Sequence, residues 1–277
     1  MGTLRRTRLS SSLLLLCAVL PLAACRSTTA EPAHDLRARE VVYSVGDLEL
    51  RGYLAYDAAL AGPRPGVLVV HEWWGHNDTT RRRARMLAEM GYVALALDMY
   101  GDGKRAEHPT DAQAFAGEVM SNKDVAVARF VAARELLTAQ PQCDPERVAA
   151  IGYCFGGGVV LHMARIGLDL DAVASFHGSL KTDTPAEPGG VSARVLVLHG
   201  ADDPFVAPED VAALKAEMAA AGADWTFVAY PGVVHAFTNP DATALGERFD
   251  LPLVYDAEAD RASWAELERF LAQTFAG

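Results

Sequence analysis

From residue 41 onward the apolar residues fall into short runs of two kinds. Residues 41–45 and 48–56 alternate apolar and polar positions around Gly46-Asp47, the period of two that half-buried strands show on either side of a tight turn. An antiparallel hairpin is therefore expected to open the sheet. Residues 66–70, 92–97, 148–153, 172–176, 195–199 and 225–230 are nearly continuous apolar runs, as expected of strands covered on both faces. Between them, residues 79–90, 124–138, 157–166 and 208–221 have helical spacing, and an amphipathic helix is expected over 257–275. Strands alternating with helices imply right-handed crossovers and a doubly wound, mostly parallel α/β sheet. No internal repeat interrupts the pattern, so residues 40–277 read as one domain. In such sheets ligands bind beyond the carboxyl ends of the strands.

The N-terminus has a different pattern. Arg5, Arg6 and Arg8 precede the apolar run 13–22 and then Ala23-Ala24-Cys25, the layout of a secretory signal; the run is too short to span a bilayer as a mature helix. Leu22-Ala23-Ala24-Cys25 resembles the lipobox of bacterial lipoproteins, which implies that residues 1–24 are a signal peptide cleaved ahead of Cys25 and that Cys25 is acylated. Acyl chains would anchor the protein to a membrane, at about 0.8 kcal/mol per buried methylene. A plain signal peptide with a chance cysteine is the alternative. Residues 25–39 have no apolar periodicity and read as a tether. Arg26 is not the aspartate that would imply inner-membrane retention, so in a two-membrane envelope the resemblance favours the outer membrane, periplasmic side.

The chain has 277 residues, 51% hydrophobic and 22% charged, which excludes disorder, collagen and coiled coil and allows a sizeable core without staples. Acidic residues outnumber basic ones, 36 to 25, which argues against a nucleic-acid partner whose phosphates need neutralising. The cysteines at 17, 25, 143 and 154 form no disulfide framework: two lie in the targeting segment, and an extended run separates the other two beyond bridging distance.

Ile151-Gly152-Tyr153-Cys154-Phe155-Gly156-Gly157-Gly158 is an apolar strand entering Gly-x-Cys-x-Gly and then a helix, the nucleophile-elbow pattern with cysteine in place of serine. Small flanking residues let the nucleophile sit on a strained strand-to-helix turn, and the helix N-terminus turns its dipole toward the thiol. A buried cysteine at a glycine-rich packing site is the competing reading. Against it stands the order of the later segments: an acid after the strand 195–199, in His199-Gly200-Ala201-Asp202-Asp203-Pro204, and a histidine after the strand 225–230, in Pro231-Gly232-Val233-Val234-His235-Ala236-Phe237. Asp203 is preferred to Asp202, which could cap its own turn. His235 is preferred to His199, which is still in strand register.

These segments resemble the dienelactone hydrolase family of the α/β-hydrolase fold, from about residue 40 to the C-terminus. The resemblance implies Cys154 as nucleophile, Asp203 and His235 as its partners, and Glu72, in His71-Glu72-Trp73-Trp74-Gly75-His76-Asn77, as a glutamate that contacts the resting thiol. It further implies an oxyanion hole from the backbone N–H groups of Trp73 and Phe155. Packing is the alternative for at least one of Trp73 and Trp74. The pattern departs from the family at the two arginines that grip a substrate carboxylate: Asp102 and Asn239 stand in their places. Without them an anionic lactone lacks its charge-assisted bonds, so a small neutral ester or lactone is the expected substrate, with Lys104 or Arg105 as the residues that could compensate.

No cofactor or metal is expected. His71-Glu72 and His76 miss the His-Glu-x-x-His spacing because residue 75 is Gly75, and neither a dinucleotide fingerprint nor a Walker motif is present. Three readings remain: a thiol-type ester or lactone hydrolase acting through a thioester, a non-catalytic envelope lipoprotein that uses the fold as a binding module, and a thiol sensor, for which no resolving cysteine lies nearby.

Overall fold

The alternating segments at the start of the domain form the expected hairpin. β1 (Leu36–Val45) and β2 (Leu48–Asp57) pair antiparallel from Leu36 opposite Asp57 to Val45 opposite Leu48, around Gly46 at φ 58°. This computed structural model describes residues 1–4 and 34–276, the second span carrying the whole domain. Residues 5–24 of the expected signal peptide, Cys25 and the tether up to residue 33 lie outside the described residues. β1 starts within the stretch assigned to the tether. Its first residues, Leu36 to Glu40, are exposed on an edge strand, so no buried face imposes a pattern there, and main-chain pairing with β2 holds them.

The hairpin is followed by β3 (Arg64–Val70), α1 (Asp78–Glu89), β4 (Val93–Leu97), α2 (Pro109–Ser121), α3 (Lys123–Thr138) and β5 (Cys143–Tyr153). Next come α4 (Phe155–Arg165), β6 (Ala172–Phe176), β7 (Arg194–Gly200), α5 (Pro208–Ala221), β8 (Trp225–Tyr230), α6 (Ala242–Phe249) and α7 (Ala257–Phe275). One eight-stranded sheet runs in the order β1-β2-β4-β3-β5-β6-β7-β8, antiparallel at β1/β2 and β2/β4 and parallel from β4 to β8. Two successive reversals make β1 run in the direction of β4, so the chain enters the sheet at the amino end of the parallel strands.

Alternate residues of each central strand feed two separate cores. Leu68, Val70, Leu95, Leu97, Val173 and Val197 point to the face packed by α3, α4 and α5, where Phe130, Val160 and Leu214 are buried. Val67, Val69, Ala96, Ile151, Ala174 and Leu198 point to the other face, under Leu87 of α1 and Leu267 and Leu271 of α7. Burial on both faces is why these strands show no polar alternation.

Helix ends follow local chemistry. The Asn77 side chain accepts from the Thr79 and Thr80 amides at the start of α1, and Asp256 accepts from Glu258 and Ala259 at the start of α7. α5 opens on Pro208 and closes on Gly222 in the left-handed region. Two helices, α2 and α6, have no counterpart among the elements expected from the sequence. α2 buries only Ala112 and Val119, and α6 is eight residues long with Ala242 and Gly246 buried, so neither has the apolar stripe that would mark it.

Candidate active site

β5 delivers Cys154 at φ 53°, ψ −115°, as the N-cap of α4. That conformation costs on the order of 1 to 3 kcal/mol for a non-glycine residue and persists because the backbone around it is locked. A Cβ on Gly152 would lie 2.0 Å from the Gly156 carbonyl oxygen, and one on Gly156 would lie 2.5 Å from that of Val70. Only glycine fits at either position. The turn lifts the thiol out of the sheet, where it is half-buried.

Asp203 follows β7 and His235 follows β8, and the two loops are pressed together: a Cβ on Gly200 would meet the Val233 carbonyl at 2.6 Å. His235 Nδ1 donates to Asp203 Oδ2 at 2.7 Å, with the Asp203 side chain fully buried. The other oxygen of Asp203 accepts from the Phe205 amide at 2.9 Å. Asp202 is exposed and bonds through its amide to Val233. His199 packs against Phe227 and, largely because it is buried, has its pKa lowered. Of the two candidates for each role, the structure therefore joins Asp203 to His235.

The Cys154 thiol lies at the same imidazole. Burial alone would lower the His235 pKa, but the charge of Cys154, the hydrogen bonds to Asp203 and Cys154 and the charge of Asp203 outweigh it and push it up to about 10. Behind the ring, His177 packs edge-on at 5.2 Å. It is fully buried at φ 40° and bonds Thr238 Oγ1 through Nε2 at 2.8 Å. Burial, and then the charges of His235 and Arg83, keep its pKa well below the usual histidine value. The Thr238 carbonyl in turn accepts from Arg83 of α1 at 2.8 Å, and Arg83 pairs with Asp260 of α7 at 2.5 Å.

Glu72 follows β3 and is buried. Its Oε2 accepts from Asn239 Nδ2 at 2.6 Å, and burial pushes its pKa up to about 7 against the opposing effect of that bond. The carboxyl group is thus held by Asn239. His71 pins the adjoining turn, donating from Nδ1 to the Glu72 carbonyl at 2.6 Å and accepting the Met99 amide at Nε2. Tyr100 donates its hydroxyl to the Trp73 carbonyl at 2.9 Å.

Cys154 and His235 open into a cavity of about 410 Å³ whose walls include Trp73, Phe155, Phe205 and Leu253. No arginine or lysine lines it. None of Asp102, Asn239, Lys104 and Arg105 does either. Asp102 is exposed on the turn that packs over β1 and β2, with its amide bonded to Glu49, and Asn239 is occupied by Glu72. Among the described residues no three histidine, cysteine or acidic side chains gather as a metal site.

The sequence reading missed His177 and the role of Asn239 as the partner of Glu72. His177 directly follows β6, so the rule that chemistry lies beyond strand ends would have found it. Asn239 carries no signal of its own.

The model of the dienelactone hydrolase family matches residues 50–275. A Methylorubrum extorquens protein with the name "Putative carboxymethylenebutenolidase" is 30% identical over 97% of this chain and 92% of its own. Protein usf of Aquifex pyrophilus is 30% identical over 72% of this chain and 86% of its own. Among solved structures, a dienelactone hydrolase-like promiscuous phosphotriesterase from metagenomic libraries is 36% identical, with a TM-score of 0.78 over 86% of this chain and 98% of its own. With its eight-stranded α/β-hydrolase sheet and its cysteine at the strand-to-helix elbow, the chain belongs to the dienelactone hydrolase family.

Proposed function

We propose that the protein hydrolyses small neutral carboxylic esters or lactones through Cys154, His235 and Asp203, with a thioester intermediate. The observation that carries this reading is that an imidazole bonded to a buried aspartate and the elbow thiol share the wall of one apolar cavity. Cys154 Sγ attacks the ester carbonyl carbon, and the charge that develops on the carbonyl oxygen is held by the amides of Trp73 and Phe155. Preorganised donors of this kind each contribute about 3 to 4 kcal/mol elsewhere. The C–O bond breaks, the leaving alkoxide takes the proton of His235, and the acyl group stays on sulfur. Water then attacks the thioester, giving one proton to His235, and the C–S bond breaks to release the acid and leave the Cys154 thiolate beside protonated His235, the pair that starts the next cycle. Asp203 orients the ring and balances its charge throughout.

The apolar walls support a neutral substrate. The dienelactone, an anion, does not suit this cavity. A phosphotriester, the substrate class for which the metagenomic relative is named, is also neutral. For the N-terminus we propose lipid attachment at Cys25 and residence in the cell envelope, outer membrane and periplasmic side, on the strength of the lipobox resemblance.

The test is turnover of a short-chain nitrophenyl ester. Cys154→Ala is expected to abolish it, and His235→Ala to lower it by about 100- to 10,000-fold, the size of positioned acid–base catalysis. Wild-type turnover by Cys154→Ala would refute the mechanism, and a folded wild-type chain that turns over no ester would favour the binding-module reading.

A further inference from the structure

A second cavity of about 370 Å³ shares a wall with the first, since Met120 and Ser179 line both. Its chemistry is different. Lys123 at the start of α3, His162 and Arg165 of α4, and Lys181 in the loop after β6 all line it. Two of these charges are already matched. Arg165 is buried and bidentate to Glu217, at 2.9 and 3.0 Å, and Lys123 pairs with Asp183. Lys181 is exposed and pairs with no carboxylate among the described residues. His162 is 8% exposed, and its Nδ1 is buried with no hydrogen-bond partner. Its pKa is lowered by burial first and then by the charges of Lys123 and Arg165, partly opposed by Asp183. Lys181 is thus the one lysine or arginine of this lining without a carboxylate partner among the described residues, in a cavity that also includes the paired Asp183 and offers the hydroxyls of Ser179 and Thr182.

We propose that this second cavity binds a compact anionic group, a carboxylate, at the far end of the substrate, whose ester lies in the apolar cavity at Cys154. This rests on the ester-hydrolase reading above and deepens it, confining the neutrality proposed there to the part of the ester around the reacting carbonyl. The substrate class is then an ester that is apolar around that carbonyl and charged at a distance, held by Lys181 and the hydroxyl donors. A carboxylate next to the carbonyl has no partner in the apolar cavity, whereas one carried past Ser179 does.

Two ester series test the proposal, one with the carboxylate on the acyl side (nitrophenyl monoesters of succinate, adipate and suberate), one with it at the end of the alcohol, each against methyl-capped counterparts. In one series, the ratio of kcat/KM for the charged over the capped ester is expected to rise above one as the chain lengthens. Lys181→Gln should lower that ratio by at least about threefold, the size of one exposed charge pair, and added salt should act the same way. The capped esters should be unaffected by Lys181→Gln. A ratio that stays below one at every length in both series, or a Lys181→Gln effect equal on charged and capped esters, overturns the proposal. A reading independent of turnover comes from histidine NMR, with the His162 signal assigned by His162→Gln. Inorganic phosphate is expected to raise the His162 pKa in the wild type and not in Lys181→Gln. If no ester is turned over, the hydrolase function falls, and an unchanged His162 pKa in phosphate then overturns the anion site as well.

Discussion

Glu72 ties the stability of the fold to pH. Its folded pKa of about 7 lies above the value of 4.5 for a free side chain, so the folded protein binds this proton more tightly than the unfolded chain does. The associated stability is fully present below pH 4.5 and is lost as pH rises through about 7. Glu72→Gln keeps an acceptor for Asn239 and removes the charge. The wild type should therefore lose about 3 kcal/mol relative to Glu72→Gln between pH 4.5 and pH 8, read from urea midpoints of both proteins at the two pH values. Parallel pH profiles would show that the carboxyl keeps an ordinary pKa. At this scale the pairing of Asp203 with His235 was legible because each lies in the loop that follows an apolar run, and chain order narrowed the choices at 202/203 and 199/235. Asn239 was not legible: its position was read as a missing arginine in the substrate site, and only the fold reveals that its amide faces Glu72 instead of the cavity.

At the scale of elements, the elbow depends on backbone packed against backbone. Gly152→Ala would put a methyl 2.0 Å from the Gly156 carbonyl, a clash that no rotamer relieves. It is expected to cost more than about 3 kcal/mol or to prevent folding, above the usual range for single substitutions. Gly158→Ala, inside α4, meets nothing nearer than Ser179 at 3.5 Å and should stabilise the helix by up to about 1 kcal/mol through helix propensity. Urea midpoints of the two variants should therefore move in opposite directions, and equal shifts would show that the elbow yields more easily than its geometry implies. Elements were legible where local chemistry marks their ends. Pro208 and Gly222 bound α5, and the cap at Asp256 starts α7, so both came out at their observed limits. α2 and α6 escaped because so little of each is buried, and the start of β1 escaped because an exposed edge strand needs no apolar alternation.

For the whole molecule, the distribution of charge around the cavities sets what can be processed. A short ester with a free carboxylate beside its carbonyl must bury that charge against Trp73, Phe155 and Leu253 without a partner. Its kcat/KM is expected to fall below that of the matched neutral ester by at least about tenfold, or roughly 1.4 kcal/mol of transition-state binding. An enzyme that prefers the short charged ester would contradict this account of the cavity. At the other end of the chain, metabolic labelling with a fatty acid should mark the wild type and leave Cys25→Ala unmarked; an unlabelled, freely soluble wild type would refute lipid attachment. The direction of β1 gives this attachment a geometric meaning. Because β1 runs with the parallel strands, the chain joins the domain at the pole where those strands begin, and Cys154, Asp203 and His235 lie at the pole where they end. Whatever holds the protein ahead of His34, whether a bilayer, a bead or a fusion partner, joins this domain at the end of the sheet opposite Cys154 and its cavity.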